Sequence, residues 1–123
     1  MQQDRNVGML NNYAYYLAES NKNLEKALNL SLYTIQKEPQ NATYLDTYAW
    51  ILYKQKMFKS ALKYIKLAYK CDKNKNYDII IHYGDIAFCN RKMSLAYEKW
   101  NEAIKLGADK MIIVNKINTI KCD

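Results

Sequence analysis

The side chains that come nearest to a nucleophile–base pattern are His82, Asp85 and Cys89. A cysteine is activated when an imidazole sits within about 3 Å of the thiol and takes its proton. His82 and Cys89 are seven residues apart, and on a helix that is roughly 10.5 Å along the axis. They cannot act together, and the reading for all three is groove or packing residues. His82 is the single histidine of the chain, too few for a metal ligand set. The cysteines are Cys71, Cys89 and Cys122, an odd number without a C-x-x-C pair. Such a set supports neither a disulfide framework nor a zinc site, so three free thiols are expected. The chain reads as non-enzymatic, with no catalytic residue, metal, cofactor or small-molecule substrate.

A second kind of chemistry would be electrostatic. Lys59, Lys63, Lys66 and Lys70 recur at four- and three-residue steps, which puts them on one face of a helix. Such a strip could hold nucleic acid or an acidic partner. It is also what the solvated side of a surface helix needs. Two features favour the solvated reading. The chain has 17 Lys and only 2 Arg, whereas Arg is the residue suited to bidentate phosphate contacts. No aromatic stacking platform is interleaved with the lysines. Nucleic acid is therefore a secondary expectation.

The elements that position these residues must fit in 123 residues and 14.5 kDa, one domain by size. Half the residues are apolar and a quarter are charged, a globular composition. Three Gly and one Pro are too few for the many turns of a sandwich or barrel. The net charge of +7 is uneven: residues 1–41 are neutral, residues 42–76 carry +6 and residues 77–123 carry +1. Lys, Asn, Ile and Tyr are all abundant and share A/T-rich codons, so part of the excess reflects codon usage. No apolar run approaches the roughly 18 residues of a membrane span. The opening M-Q-Q-D-R-N-V-G-M lacks the apolar core of a signal peptide. The compartment stays open between cytoplasm and periplasm.

An internal period organises the chain. Ala27, Ala61 and Ala96 are 34 and 35 residues apart; Ala14, Ala49 and Gly84 are 35 and 35 apart. The first run of each unit reads L-N-N-Y-A-Y-Y-L, L-D-T-Y-A-W-I-L and I-I-H-Y-G-D-I-A, with Tyr13, Tyr48 and Tyr83 before the small residue. The second runs have apolar residues at helical steps, as in Leu62, Ile65, Ala68 and Tyr69. A small residue in one helix facing a small residue in the next lets two backbones approach. Asn21–Asn23, Lys54–Met57 and Asn90–Met93 read as turns within pairs, the first with an extra residue. Pro39 and Asp72–Asn76 separate the pairs. Asp109 reads as the N-cap of a seventh helix, Lys110–Lys121, with Ile113, Ile117 and Ile120 as one stripe.

This pattern resembles the tetratricopeptide repeat (TPR) family over roughly residues 8–109, and in particular the C-terminal repeats of longer bacterial TPR proteins. The family's small residue of the first helix falls on Ala14, Ala49 and Gly84. Its alanine opening the second helix falls on Ala27, Ala61 and Ala96. Its later small residue matches Ala68 and Ala103, more loosely Thr34, and its closing proline is present once, as Pro39. The resemblance implies an all-α, right-handed α-solenoid in one domain: repeats 8–41, 42–76 and 77–109, then a capping helix 110–121. Residues 1–8 offer no evident cap, so the chain is expected to be the C-terminal piece of a longer array.

In that family the first helices line a concave groove that binds extended peptides or helices. The positions carried over are Asn11, Tyr15 and Ala18; Thr43, Asp46, Trp50 and Tyr53; and Asp78, Ile81, Asp85 and Phe88. Two placements are open for Trp50 and Tyr53, the groove or the space between helices; Trp100 is expected to pack on the terminal helix. Family members that clamp the C-terminal carboxylate of heat-shock chaperones use Lys, Asn and Arg in the groove. Asn11, Tyr15, Thr47, Asp78 and His82 do not reproduce that clamp. The expected function is binding of another protein or peptide in the groove, with Tyr15, Trp50, Tyr53, Ile81 and Phe88 as apolar contacts and Asn11, Asp46 and Asp85 as polar ones. The alternatives are the Lys59, Lys63, Lys66 and Lys70 surface, or a structural or self-association segment of a larger scaffold.

Overall fold

In the computed structural model, residues 2–123 are described, with side chains from Asn6 onward. They form α1 (Gln2–Glu19), α2 (Leu24–Lys37), α3 (Ala42–Lys54), α4 (Phe58–Cys71), α5 (Tyr77–Cys89), α6 (Met93–Lys105) and α7 (Lys110–Thr119), with no strand among the described residues. Helix packing follows chain order from α1 to α6, and α3 also meets α1 and α5. That arrangement is consistent with a helical repeat. α1 begins six residues earlier than the expected unit start, and α7 ends two residues sooner than expected.

Local chemistry explains where the helices start. Asn41, Asn76 and Asp109 have extended backbones, and their side chains accept from the amides of Tyr44, Asp78 and Met111. Each cap satisfies one amide that the first helical turn leaves unpaired. The turns inside the pairs close by a different device. Asn21, Lys56 and Arg91 have positive φ, and the amides of Lys22, Met57 and Lys92 reach back to the carbonyls of Leu17, Leu52 and Ala87 at 2.9–3.0 Å. These are Schellman closures, repeated at 35-residue intervals. Gly107, at φ 113°, ends α6 the same way. The first turn, Ser20–Asn23, carries the extra residue, with Asn23 as a second left-handed position.

The small residues of the first two pairs share their apolar clusters, and Ala14, Ala27, Ala49, Ala61 and Ala96 are fully buried. The third pair differs. The Trp100 ring lies directly over Gly84, where a Cβ would collide with its indole edge. Alanine serves at positions 14 and 49; glycine at 84 admits a tryptophan. Three apolar clusters then run along the chain: Ala14, Leu17 and Ile51 at the start, Leu45, Ile65 and Ile86 in the middle, and Ile80, Trp100 and Ile113 at the end.

Candidate functional site

α1, α3 and α5 present the expected groove positions on a shared face, and the structure divides them into two halves. In the first half, Asn11, Tyr15, Thr43, Asp46, Asp78 and His82 line an open cleft of about 500 Å³. Asp46 and His82 are both nearly buried and paired, with Nδ1 2.8 Å from Oδ1. Burial alone would lower the imidazole pKa. The Asp46 charge and hydrogen bond, helped by Asp85, outweigh it and hold His82 above its ordinary value, against a smaller opposing effect of Lys116. His82 also stacks on Trp50, ring centroids 4.0 Å apart, and Trp50 stacks on Tyr53 at 4.6 Å.

Asn11 sits at the back of this cleft. It is 4% exposed, and its Oδ1 has no hydrogen-bond partner among the described residues. A buried amide oxygen without a partner is costly. Tyr15, half-buried beside it, keeps its phenolic proton far into the alkaline range: burial first, then Glu19, Asp46 and Asp78, push its pKa up to about 12. Asp46 and Asp78 make the cleft rich in hydrogen-bond acceptors.

The second half is covered. Asp85 is 1% exposed; its Oδ1 accepts from Trp100 Nε1 at 3.0 Å and its Oδ2 from Lys116 Nζ at 2.8 Å. Burial pushes its carboxyl pKa up, and Lys116 opposes that. The expected polar groove residue is thus a buried charge satisfied by α7. Phe88 is half-buried against Trp100 at 5.7 Å, and Ile81 faces Ile112 and Lys116 across a smaller cleft. Trp50 takes the packing placement. It is 6% exposed, and its Nε1 donates to Glu19 Oε2 at 2.6 Å. Tyr53 is half-buried beside it, its hydroxyl pKa raised by burial and by Asp85.

The expectation of three free thiols is overturned. Cys89 and Cys122 form a disulfide, and Cys71 alone is free. Elimination by cysteine count fails because pairing depends on where α7 runs. The terminal stripe Ile113, Ile117 and Ile120 packs on Trp100 and Ile80, carries the chain back past α5, and brings Cys122 to the end of that helix. The Lys116–Asp85 bridge was invisible in the sequence for the same reason. The Asp46–His82 pair did have a signal. A 35-residue register puts Asp46 level with Ile81, so position 82 is its neighbour across the face.

Lys59, Lys63, Lys66 and Lys70 are all exposed on α4 and none is in an ion pair among the described residues. Among the described residues His82 pairs with Asp46, and Thr47 donates to Thr43 O. No cluster of three metal-ligating side chains occurs among the described residues, nor is any described helix long and apolar enough to cross a membrane. No protein-family model matches this sequence, and no curated protein matches it either.

Proposed function

We propose that the chain is a TPR-type right-handed solenoid, with α1/α2, α3/α4 and α5/α6 as its three repeats and α7 as its cap, and that it is a non-enzymatic module binding a segment of another protein. The binding surface is the cleft between α1, α3 and α5. The observation that carries this reading is the pair of carboxylates that line that cleft, Asp46 and exposed Asp78. A cleft so built suits a peptide that presents a cationic or hydrogen-bond-donating side chain to the carboxylates. Tyr15 supplies the apolar wall.

The test is capture from a nuclease-treated lysate, identification of the retained protein by mass spectrometry, and titration of that protein against variants. Asp78→Lys reverses an exposed charge at the cleft mouth without disturbing a buried contact. It is expected to weaken binding at least tenfold, about 1.4 kcal/mol. Replacing Lys59, Lys63, Lys66 and Lys70 together by Gln is expected to leave binding unchanged. The opposite pattern, with Asp78→Lys silent and the lysine variant inactive, would move the function to the basic face of α4.

A further inference from the structure

The C-terminal segment does more than close the last helix pair. α7 stops at Thr119, and Ile120 already has an extended backbone. The residues after it are irregular, yet they are tied back across the shared face by the Cys89–Cys122 bond. Thr119, Ile120 and Lys121 form one wall of a cavity of about 180 Å³ whose other walls include Trp50, Tyr53 and Asp85. This cavity adjoins the open cleft, because the Trp50 ring stacks on His82. The chain's own tail therefore covers ground that continues the proposed binding surface.

What holds the tail is unevenly distributed. Ile113 is buried and Lys116 is anchored to Asp85, so the first two turns of α7 are fixed by packing and charge. Beyond Ile117 the contacts thin out: Ile120 is half-buried, while Asn118, Thr119 and Lys121 are exposed. Ile120 packs on the terminal cluster, and the covalent bond at Cys122 is the other anchor of this last stretch. A chain end held by one covalent bond and one half-buried side chain loosens when that bond is cut.

We propose that Cys89–Cys122 is a thiol-operated latch: while it is closed, residues 118–123 cover the Trp50–Tyr53–Asp85 part of the face, and its reduction uncovers that part for the same partner segment. The proposal rests on the groove reading above and adds its regulation. The reductant is a dithiol. It gives two electrons and two protons to the disulfide, the S–S bond breaks, Cys89 and Cys122 become thiols, and the dithiol leaves as its own disulfide. The uncovered surface offers the Tyr53 and Trp50 rings to an aliphatic or aromatic side chain standing where Ile120 stood. A partner that reaches it carries such a residue beyond the group that meets Asp46 and Asp78.

The chain has two tryptophans, which makes the latch readable. Full-length protein labelled with 5-fluorotryptophan gives one fluorine resonance for Trp50 and one for Trp100, and the H₂O–D₂O isotope shift of each reports solvent access. The oxidised protein is first counted for thiols, where one free thiol is expected. On addition of dithiothreitol the Trp50 resonance is expected to gain a solvent shift, and that of Trp100, 1% exposed, to keep its own. Cys122→Ser should give the open spectrum without reductant, and Cys71→Ser should behave as the native chain. The captured partner should bind the reduced chain and Cys122→Ser at least threefold more tightly than the oxidised chain. Three free thiols in the untreated protein, or a Trp50 resonance indifferent to reduction, overturns the latch. An opened Trp50 with unchanged partner affinity overturns its gating role, while sensitivity of the same partner to Asp78→Lys still upholds the groove. If Asp78→Lys is also silent, the groove reading falls on its own, and the Trp50 resonance still decides whether the tail is a cover.

Discussion

The face built by α1, α3 and α5 holds two nearly buried carboxylates, and the fold deals with them in opposite ways. Asp85 meets a permanent cation: Lys116 reaches it from α7 at 2.8 Å while the Trp100 indole donates to its other oxygen. Asp46 meets a titratable one: His82 sits at 2.8 Å, and the cleft in front stays open. The Asp85 end is closed by three further devices, the Trp100 ring over Gly84, the isoleucine stripe of α7 and the Cys89–Cys122 bond. The Asp46 end has the exposed Asp78 carboxylate instead. A charge that is fully satisfied within the chain contributes to the structure and has little left for a ligand. One that shares its cleft with an exposed carboxylate can still gain from binding.

The comparison breaks most visibly if the closed end does not depend on its cation. Lys116→Met keeps the length and apolar body of the side chain and removes the charge. Asp85 is then buried with the Trp100 indole as its remaining partner. Leaving one member of a buried ion pair uncompensated costs about 3 kcal/mol, and denaturant unfolding at pH 7 is expected to show a loss of that size. The direction of the Asp85 shift adds a check. Its folded pKa lies above the ordinary 3.8 because burial disfavours the anion. Protonation therefore favours the folded state, and the penalty should shrink as the pH falls toward 4. A pH-independent penalty would mean that packing of the Lys116 stem, rather than charge, is what the variant loses.

Gly84→Ala comes next in size. At the register positions Ala14 and Ala49 a methyl group is native, yet at Gly84 it would strike the indole of Trp100, itself 1% exposed and hydrogen-bonded to Asp85. The ring cannot yield without breaking that bond, so overpacking is expected to cost about 2 kcal/mol. The partner replacement Ala49→Gly should cost nearer 1 kcal/mol, the ordinary penalty of glycine in a helix. Equal losses at the two positions would show that Trp100 adapts, and the closed end would then be softer than its contacts suggest.

How much of this could be read from residue order follows from the kind of contact involved. The helix pairs were legible because they rest on local periodicity and on the recurring Ala14/Ala49/Gly84 and Ala27/Ala61/Ala96 positions, which are fixed by chain-neighbour packing. Asp109 as a cap follows from local chemistry as well. The Asp46–His82 pair was half-legible: both residues lie on groove positions, but only the repeat register brings them opposite each other. Lys116 on Asp85 and Cys122 on Cys89 were illegible, because α7 lies outside the repeat and its path depends on where three isoleucines find apolar surface. Trp50 illustrates the remaining difficulty. Its position in the pattern suits a groove anchor, and its size makes it a bridge instead, joining Glu19 of α1 to His82 of α5. Truncating it would therefore damage the fold along with any binding, which is why exposed Asp78 is the cleaner probe.

The smallest effect is expected at the open end, and it tests why that end is open. Asp46→Asn keeps the shape and a hydrogen-bonding oxygen beside His82 and removes the charge, a change of about 1 kcal/mol. Its clearer signature is in titration. The groups that act on His82 are Asp46 of α3, Asp85 of α5 and Lys116 of α7, together with burial among them, and only Asp46 and Asp85 raise its pKa. In the native chain the folded pKa exceeds the ordinary 6.5, so protonated His82 stabilises the fold below that value, and this contribution fades as the pH rises through the folded pKa. Without the Asp46 charge, burial and Lys116 prevail over Asp85 and the pKa should fall below 6.5. The sign then reverses, and the contribution of this group should rise with pH up to 6.5. Because the chain has one histidine, an NMR titration of its ring protons follows the group without overlap. A pKa above 6.5 in the variant would mean that Asp85 rather than Asp46 governs the imidazole. The two ends of the face would then be one electrostatic unit instead of two.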